Sequence, residues 1–353
     1  LEVGGSVAIP LFLAQALGST SEQYSYQAWL WTYLCMAAVM GVGVVTTLVI
    51  SEPEGAPGES RYLHETSDYL RFLLLFVLMV AGLIASYIFT QSPTDLLKAS
   101  LSDTIINGHL ASFIAEALHL VTAVIGALLS GFIAVKIGVA RREVLRETYV
   151  DPVVEFMRRY GLKVALFLLL LIGFYRISDI VLGVIANVFY QDMGFSKNEI
   201  GSITKVFGPV MSIVGSFIGG MLVLRLGVMR MLLIGALLSA VTNLLFLLLA
   251  SSGHDLVLLT VVISADNISG GLAVAAFVAF LSSLTNISFT AMQYAIFSSL
   301  MTLFPKLLGG YSGGIVDGWG YENFFILTTV MGLPVLLLVW YAGRLLQQKE
   351  AAE

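Results

Sequence analysis

Charge is what this sequence has least of. Only 12% of its 353 residues are Asp, Glu, Lys or Arg, about half the usual share in a soluble domain. With 58% hydrophobic residues and a mean hydropathy of +0.92, an ordinary soluble chain is excluded. The apolar residues come in long unbroken runs instead of short alternating ones, so the spans are helices, not the strands of a barrel. Cysteine is nearly absent: Cys35 stands alone, and no intrachain disulfide can form. There is no G-x-x-x-x-G-K-[ST], which excludes a P-loop pump within this chain. The four histidines form no ligand set. Glu116-x-x-His119 has the spacing of half a helical metal site, but no second such pair occurs. No metal or cofactor is therefore expected. No nucleophile–base set points to an enzyme, and nothing points to nucleic acid.

What is there divides into ten apolar segments: about Val3–Gly18, Trp29–Ile50, Tyr69–Thr90, Leu110–Val135, Val164–Tyr190, Ile200–Leu224, Met229–Ala250, Leu256–Ser283, Met292–Val316 and Asn323–Leu345. A polar Pro/Gly/Glu linker separates the second from the third. The charged stretch Lys136–Lys163 separates the fourth from the fifth. Within it Asp151-Pro152 reads as a helix start and Gly161 as a stop, giving a short surface helix over Pro152–Tyr160. The segment Ser92–His109 is expected on the opposite side, with Asp103–Leu118 lying along the interface. The chain opens LEVGGSVAIP, without methionine and already apolar. It is expected to continue a longer chain whose earlier helices lie upstream.

The stretch around which the others are organised is Val164–Asp192. Twelve uncharged residues, Val164–Tyr175, precede Arg176 and Asp179, and twelve more, Ile180–Gln191, follow. Charges at mid-span are costly in hydrocarbon and belong against protein or a water-filled cavity. On a helical wheel Arg176, Asp179, Gly183, Asn187 and Tyr190 fall near one face. Such a stripe reads as a transport pathway, or else as an ion pair at (i, i+3) that locks helix packing. Other ionisable residues within the last spans are Lys205, Asp266 and Lys306, the last beside Pro305, where an opened backbone suits a cavity wall. Gln293, Tyr294, Asn187 and Tyr190 offer neutral hydrogen-bonding groups for sugar hydroxyls and peptide amides, or for ordinary contacts between helices.

Two patterns recur three helices apart: Gly220-x-x-x-Leu224-Arg225-x-Gly227 and Gly313-x-x-x-Asp317-Gly318-x-Gly320. Asp179 and Asp266 match in the fifth and eighth segments. Three-plus-three repeats of inverted topology are a mark of secondary transporters. With these residues in view, the chain resembles the major facilitator superfamily, whose loop motif is G-x-x-x-D-R-x-G-R/K; here Leu224 stands at the aspartate. The stretches Arg176–Ser196, Ser288–Phe325 and Trp29–Gly43 resemble AmpG-type muropeptide permeases more narrowly. That resemblance implies a bacterial inner-membrane protein that imports anhydro-muropeptides, takes part in peptidoglycan recycling and β-lactamase induction, and bears on antibiotic resistance.

The resemblance also implies an all-α polytopic membrane protein with the major facilitator fold. Residues 1–51 would be the last two helices of an N-terminal half lacking its first four. Residues 52–68 would be a cytoplasmic linker, 69–135 an inserted helix pair off the transport path, 136–163 a basic cytoplasmic loop, and 164–353 the complete C-terminal six-helix half. Protons would drive import by symport. Asp179 has Arg176 three residues away, whereas no base lies within a helical turn of Asp266 in sequence, which would make Asp266 the better proton carrier and Asp179 the second candidate. Arg176 and Lys306, with Asn187, Tyr190, Gln293 and Tyr294, would meet the substrate. The other readings are a transporter of another anionic solute such as acetyl-coenzyme A, and a membrane sensor or scaffold that binds muropeptide without moving it.

The basic residues set the orientation. Lys136, Arg141, Arg142, Arg146, Arg158, Arg159, Lys163, Arg61, Arg225, Arg230, Arg344 and Lys349 fall on one side of the predicted spans, and only Lys98 and Lys197 on the other. Both ends of the chain are then cytoplasmic by the positive-inside rule. Single cysteines placed in Lys136–Lys163 and in Ser92–His109, in a Cys35→Ser background, test this in intact spheroplasts. An impermeant thiol reagent should label the second and spare the first; the reverse pattern would refute the orientation.

Overall fold

The computed structural model describes residues 13–14, 17–18, 25–50, 66–104, 108–139, 142 and 146–350. All regular structure among them is helical: α1 (Tyr26–Val49), α2 (Thr66–Thr104), α3 (Gly108–Lys136), α4 (Asp151–Tyr160), α5 (Leu162–Phe174), α6 (Ile177–Asp192), α7 (Gly208–Leu226), α8 (Val228–Ser252), α9 (Leu256–Leu284), α10 (Thr290–Gly309) and α11 (Ser312–Glu350). Nine stretches among the described residues are long and apolar enough to cross a bilayer. They correspond to the second to tenth predicted segments. The first, Val3–Gly18, lies almost wholly outside the described residues, as does most of the linker at 52–68.

The chain forms two compact units, one of residues 1–58 and 186–277, the other of 59–185 and 278–353. In the first, α7 and α9 meet backbone to backbone. A Cβ on Gly215 would stand 2.2 Å from the Ile268 carbonyl oxygen, and one on Gly271 would stand 2.1 Å from that of Ser212. Ser216 Oγ donates to the Gly271 carbonyl at 3.2 Å. The small-residue stripe of α7 is thus a packing seam. Without a hydrophobic driving force between helices in lipid, such close approach is what holds them together. Ahead of α7 the helix widens into a π turn over Gly201–Phe207. Pro209 has no N–H to return to the Lys205 carbonyl, so a regular α-turn cannot be completed there.

In the second unit α2 and α3 form an antiparallel pair. The face α3 turns inward is Ala111, Ala115, His119, Ala123, Ala127, Gly131 and Ala134. Gly82 faces Ser130 and Gly126 faces Ser86 with no room for a methyl group. His119 lies in this seam, its Nε2 2.9 Å from the Tyr87 carbonyl oxygen and its ring stacked on Tyr87. The pair differs from the reading of the sequence. Among the described residues of Asp103–Leu118 no separate helix occurs: α2 continues past the apolar run to Thr104 and α3 begins at Gly108. Polar residues such as Ser102, whose hydroxyl returns to the Lys98 carbonyl, extend the helix. At 39 residues, α2 is about 58 Å long, nearly twice the hydrocarbon thickness of ~30 Å.

The two Gly-rich repeats share one backbone conformation. Gly227, between α7 and α8, has φ 83° and ψ 158°. Gly320 has φ 78° and ψ 168° and divides α11 into two helices. This region is essentially closed to residues with a Cβ. Gly320 therefore breaks the helix at the glycine where the sequence pattern repeats that of Gly227.

Adjacent glycines of α9 provide a test of the seam. Gly271→Ala forces a Cβ into the Ser212 carbonyl and should cost about 2 kcal/mol or more. Gly270 has nothing within 4 Å, and Gly270→Ala should leave stability unchanged or raise it by up to ~1 kcal/mol. Thermal unfolding in detergent distinguishes the two.

Candidate functional site

The central stretch is not one helix. α5 ends at Phe174 and α6 begins at Ile177, with Tyr175 and Arg176 in a turn between them, near the middle of a 31-residue span. Arg176 Nε lies 3.8 Å from Asp179 Oδ2, and the two side chains are 17% and 18% exposed. At that distance they attract as charges without a hydrogen bond between these atoms. Ser178 is buried and donates to the Thr328 carbonyl at 2.8 Å, tying the first turn of α6 to α11.

A second interruption lies in the span that packs on the first. α10 stops at Gly309 and α11 starts at Ser312; the Gly310 N–H reaches the carbonyls of Lys306 and Leu307 at 3.1 and 3.2 Å. Pro305, inside α10, donates no backbone hydrogen bond. The two interrupted spans pack on each other. Phe174 stacks on Phe304 with ring centroids 5.4 Å apart. A Cβ on Gly173 would stand 2.9 Å from the Phe304 ring, and one on Gly309 2.9 Å from Val184. Ser312 Oγ donates to the Val181 carbonyl at 3.4 Å. The contacts advance together in both spans, so the spans run parallel, as two spans separated by three crossings must. Lys306 lines a cleft of about 450 Å³ with Ser299, Thr302, Leu303, Leu307 and, from α3, Leu120. Leu120 of α3 therefore stands beside Lys306.

The remaining candidates have settings of their own. Asp266, in the first compact unit, is the sole charged residue of α9. It is within electrostatic range of Tyr190, which is buried against Phe189 and Phe246. Asn187 is exposed, Tyr294 half-buried and Lys205 half-buried in the π turn.

Gln293 has a different setting. It is 1% exposed. Its Nε2 donates to Glu155 Oε2 at 2.7 Å and to the Pro152 carbonyl at 2.9 Å, and its Oε1 accepts from the Asn286 N–H at 2.7 Å. Asn286 Nδ2 donates to Glu155 Oε1 at 2.9 Å. Arg159 Nε lies 3.2 Å from the same oxygen, and its NH2 donates to the Leu284 carbonyl at 2.6 Å. Lys349 donates to the Arg159 carbonyl and lies over the Tyr160 ring. This network fastens α4 to the α9–α10 connection and to the end of α11, so all three lie on one side of the membrane. Gln293 thereby serves the clamp, and its amide is fully engaged without a ligand. The sequence reading misses Glu155, Asn286 and Arg159; the available signal is the Glu155–Arg159 pair at (i, i+4) on an amphipathic surface helix.

Residues 166–352, more than half of the chain, match the profile of the Major Facilitator Superfamily. A protein of Rickettsia conorii named "Putative transporter AmpG 4" is 30% identical over 55% of this chain and 46% of its own length. "Putative transporter AmpG 1" of Rickettsia bellii is 34% identical over 51% and 44%. An uncharacterized protein of Haemophilus influenzae is 36% identical over 56% and 48%. The chain spans just under half the length of each of these relatives.

Asp179→Asn removes one partner of a largely buried ion pair and leaves the guanidinium behind. It should cost roughly 3 kcal/mol, read as a lower unfolding temperature in detergent. The double variant Arg176→Gln/Asp179→Asn should recover most of the loss, because the stranded charge is then gone. Equal losses in the single and double variants would argue against the pairing.

Proposed function

The chain belongs to the major facilitator superfamily, and from that premise we propose that it is a secondary transporter importing anhydro-muropeptides with protons by alternating access. The observation that carries this reading is the Arg176–Asp179 pair at the interrupted centre of an otherwise uncharged span. Irregular backbone and charge at membrane depth are tolerated where they line a cavity, and transporters of this kind bind their cargo at such interrupted helices. The second interrupted span adds Lys306 beside Pro305. Two cations then meet the carboxylates of a muropeptide, while Asn187, Tyr190 and Tyr294 meet its hydroxyls and amides. The AmpG names of the relatives support the choice of cargo.

In this reading the last six spans form one half of the transporter, α1 belongs to the other half, and α2–α3 is an inserted pair. The protein resides in the bacterial inner membrane with the α4 side toward the cytoplasm. Asp179 stays with Arg176. Asp266, with no cation in its own helix, takes and releases the proton.

Uptake of labelled anhydro-muropeptide into vesicles, with and without an inward proton gradient, tests the reading. Accumulation only with the gradient is expected, whereas binding without uptake would identify a sensor or scaffold. Asp266→Asn mimics the protonated carboxyl. It should abolish the response to the gradient while sparing counterflow exchange. Proton-driven accumulation by Asp266→Asn would exclude Asp266 as the carrier.

A further inference from the structure

Helix α4 has two faces of opposite purpose. Pro152, Glu155, Phe156 and Arg159 point into the clamp and are buried or largely buried. Val150, Val153 and Val154 stand on the other face with exposures of 50%, 38% and 54%, and half-buried Met157 completes that stripe. At 100° per residue these four positions fall within an arc of about 100°, opposite the clamp. The ordering is in part inverted with respect to a surface helix in water: Glu155 and Arg159 lie inward beside Pro152 and Phe156, and the valines lie outward.

The flanks explain the inversion. α4 passes through Gly161 directly into the membrane span that begins at Leu162, itself 64% exposed. On the other side the chain arrives from the end of α3, where Ile137 is 75% exposed. α4 is therefore held at the boundary of the bilayer. Exposed cations flank the valine stripe in sequence: Arg142, Arg146 (3.4 Å from Asp151 Oδ1), Arg158 and Lys163. A helix with an apolar face and a basic rim, fixed at that depth, has the composition of an element that seats itself at the boundary of headgroup and acyl chain.

We infer that the outward face of α4 is a docking surface for the anionic phospholipids of the adjacent leaflet, with the valine stripe in the acyl boundary and Arg158 and Lys163 on lipid phosphates. Because the other face is bolted to Gln293, Asn286 and Lys349, lipid held at α4 is held against the α9–α10 connection and the end of α11. The inference depends on the position of α4 at the bilayer surface and not on the identity of the cargo.

Val154→Cys in the full chain with Cys35→Ser, labelled with an environment-sensitive fluorophore and reconstituted into vesicles, tests it. Gln348→Cys, at an exposed site near the end of α11, serves as the aqueous reference. The probes are phosphatidylcholine and phosphatidylglycerol carrying a nitroxide near the headgroup, and iodide in the buffer. Lipid-borne nitroxide should quench the label at position 154 and iodide should quench the reference. Spin-labelled phosphatidylglycerol should quench better than its zwitterionic counterpart. Arg158→Gln should lower that preference about fivefold, as loss of one basic residue at a charged surface implies. Iodide quenching at position 154, or shielding of that position from both quenchers by a protein partner, would overturn the inference. So would equal quenching by the two lipids.

Discussion

In hydrocarbon every backbone amide must find its partner within the protein, and that constraint sets the terms for the rest of this molecule. It makes long uninterrupted helices the default, so each departure carries information. Two spans depart, at Tyr175–Arg176 and at Gly310–Tyr311, and these two pack on each other through Phe174, Phe304, Val181 and Ser312. Charge gathers at the same places, with Arg176 and Asp179 at the first and Lys306 near the second. A third departure, the π turn before Pro209, holds Lys205. Irregular backbone and ionisable side chains thus coincide, as expected when both require the same protected surroundings.

Close packing supplies the complementary rule. Where helices must hold one another without help from water, glycine and serine permit contact at backbone distance. The α7–α9 seam and the α2–α3 seam are built this way from different residues, Gly215 and Gly271 in one and Gly82 and Gly126 in the other. His119, read from sequence as a weak metal candidate, is placed in the second seam as a ring stacked on Tyr87.

Most of the helical layout is legible in the residues because apolar runs and glycine stops are local signals. Gly320 illustrates this. Secondary structure alone joins the last two spans into one helix of 39 residues, whereas the repeat pattern with Gly227 divides them at the residue whose φ is positive. The same pattern was available once more, in Gly131-x-x-x-Val135-Lys136-x-Gly138, and Gly138 also has a positive φ, of 86°. What hydropathy cannot convey is helix that continues through polar sequence, as α2 does beyond Thr90. Nor does it convey partnership between distant residues. The pairing of Arg176 with Asp179 is visible at (i, i+3). The engagement of Gln293 by Glu155 spans 138 positions and follows from the fold alone. An uncharged glutamine at a span's end looks the same in sequence whether it awaits a ligand or closes a clamp.

The clamp around α4 also bears on how the protein is made. Arg159 and Lys349 lie 190 residues apart, an interval of about 10 to 40 s at the pace of synthesis. Through that time α4 waits for the end of α11, and for most of it the α9–α10 connection does not exist either. Glu155 and Arg159, four residues apart, can keep each other company meanwhile. Their further bonds, to Asn286, Gln293 and the Leu284 carbonyl, become possible only when the helices between have entered the membrane in the right order and the right sense. A span threaded backwards would leave those partners across the bilayer. The network therefore works as a checkpoint on assembly, closing last and closing only on a chain whose crossings have been counted correctly.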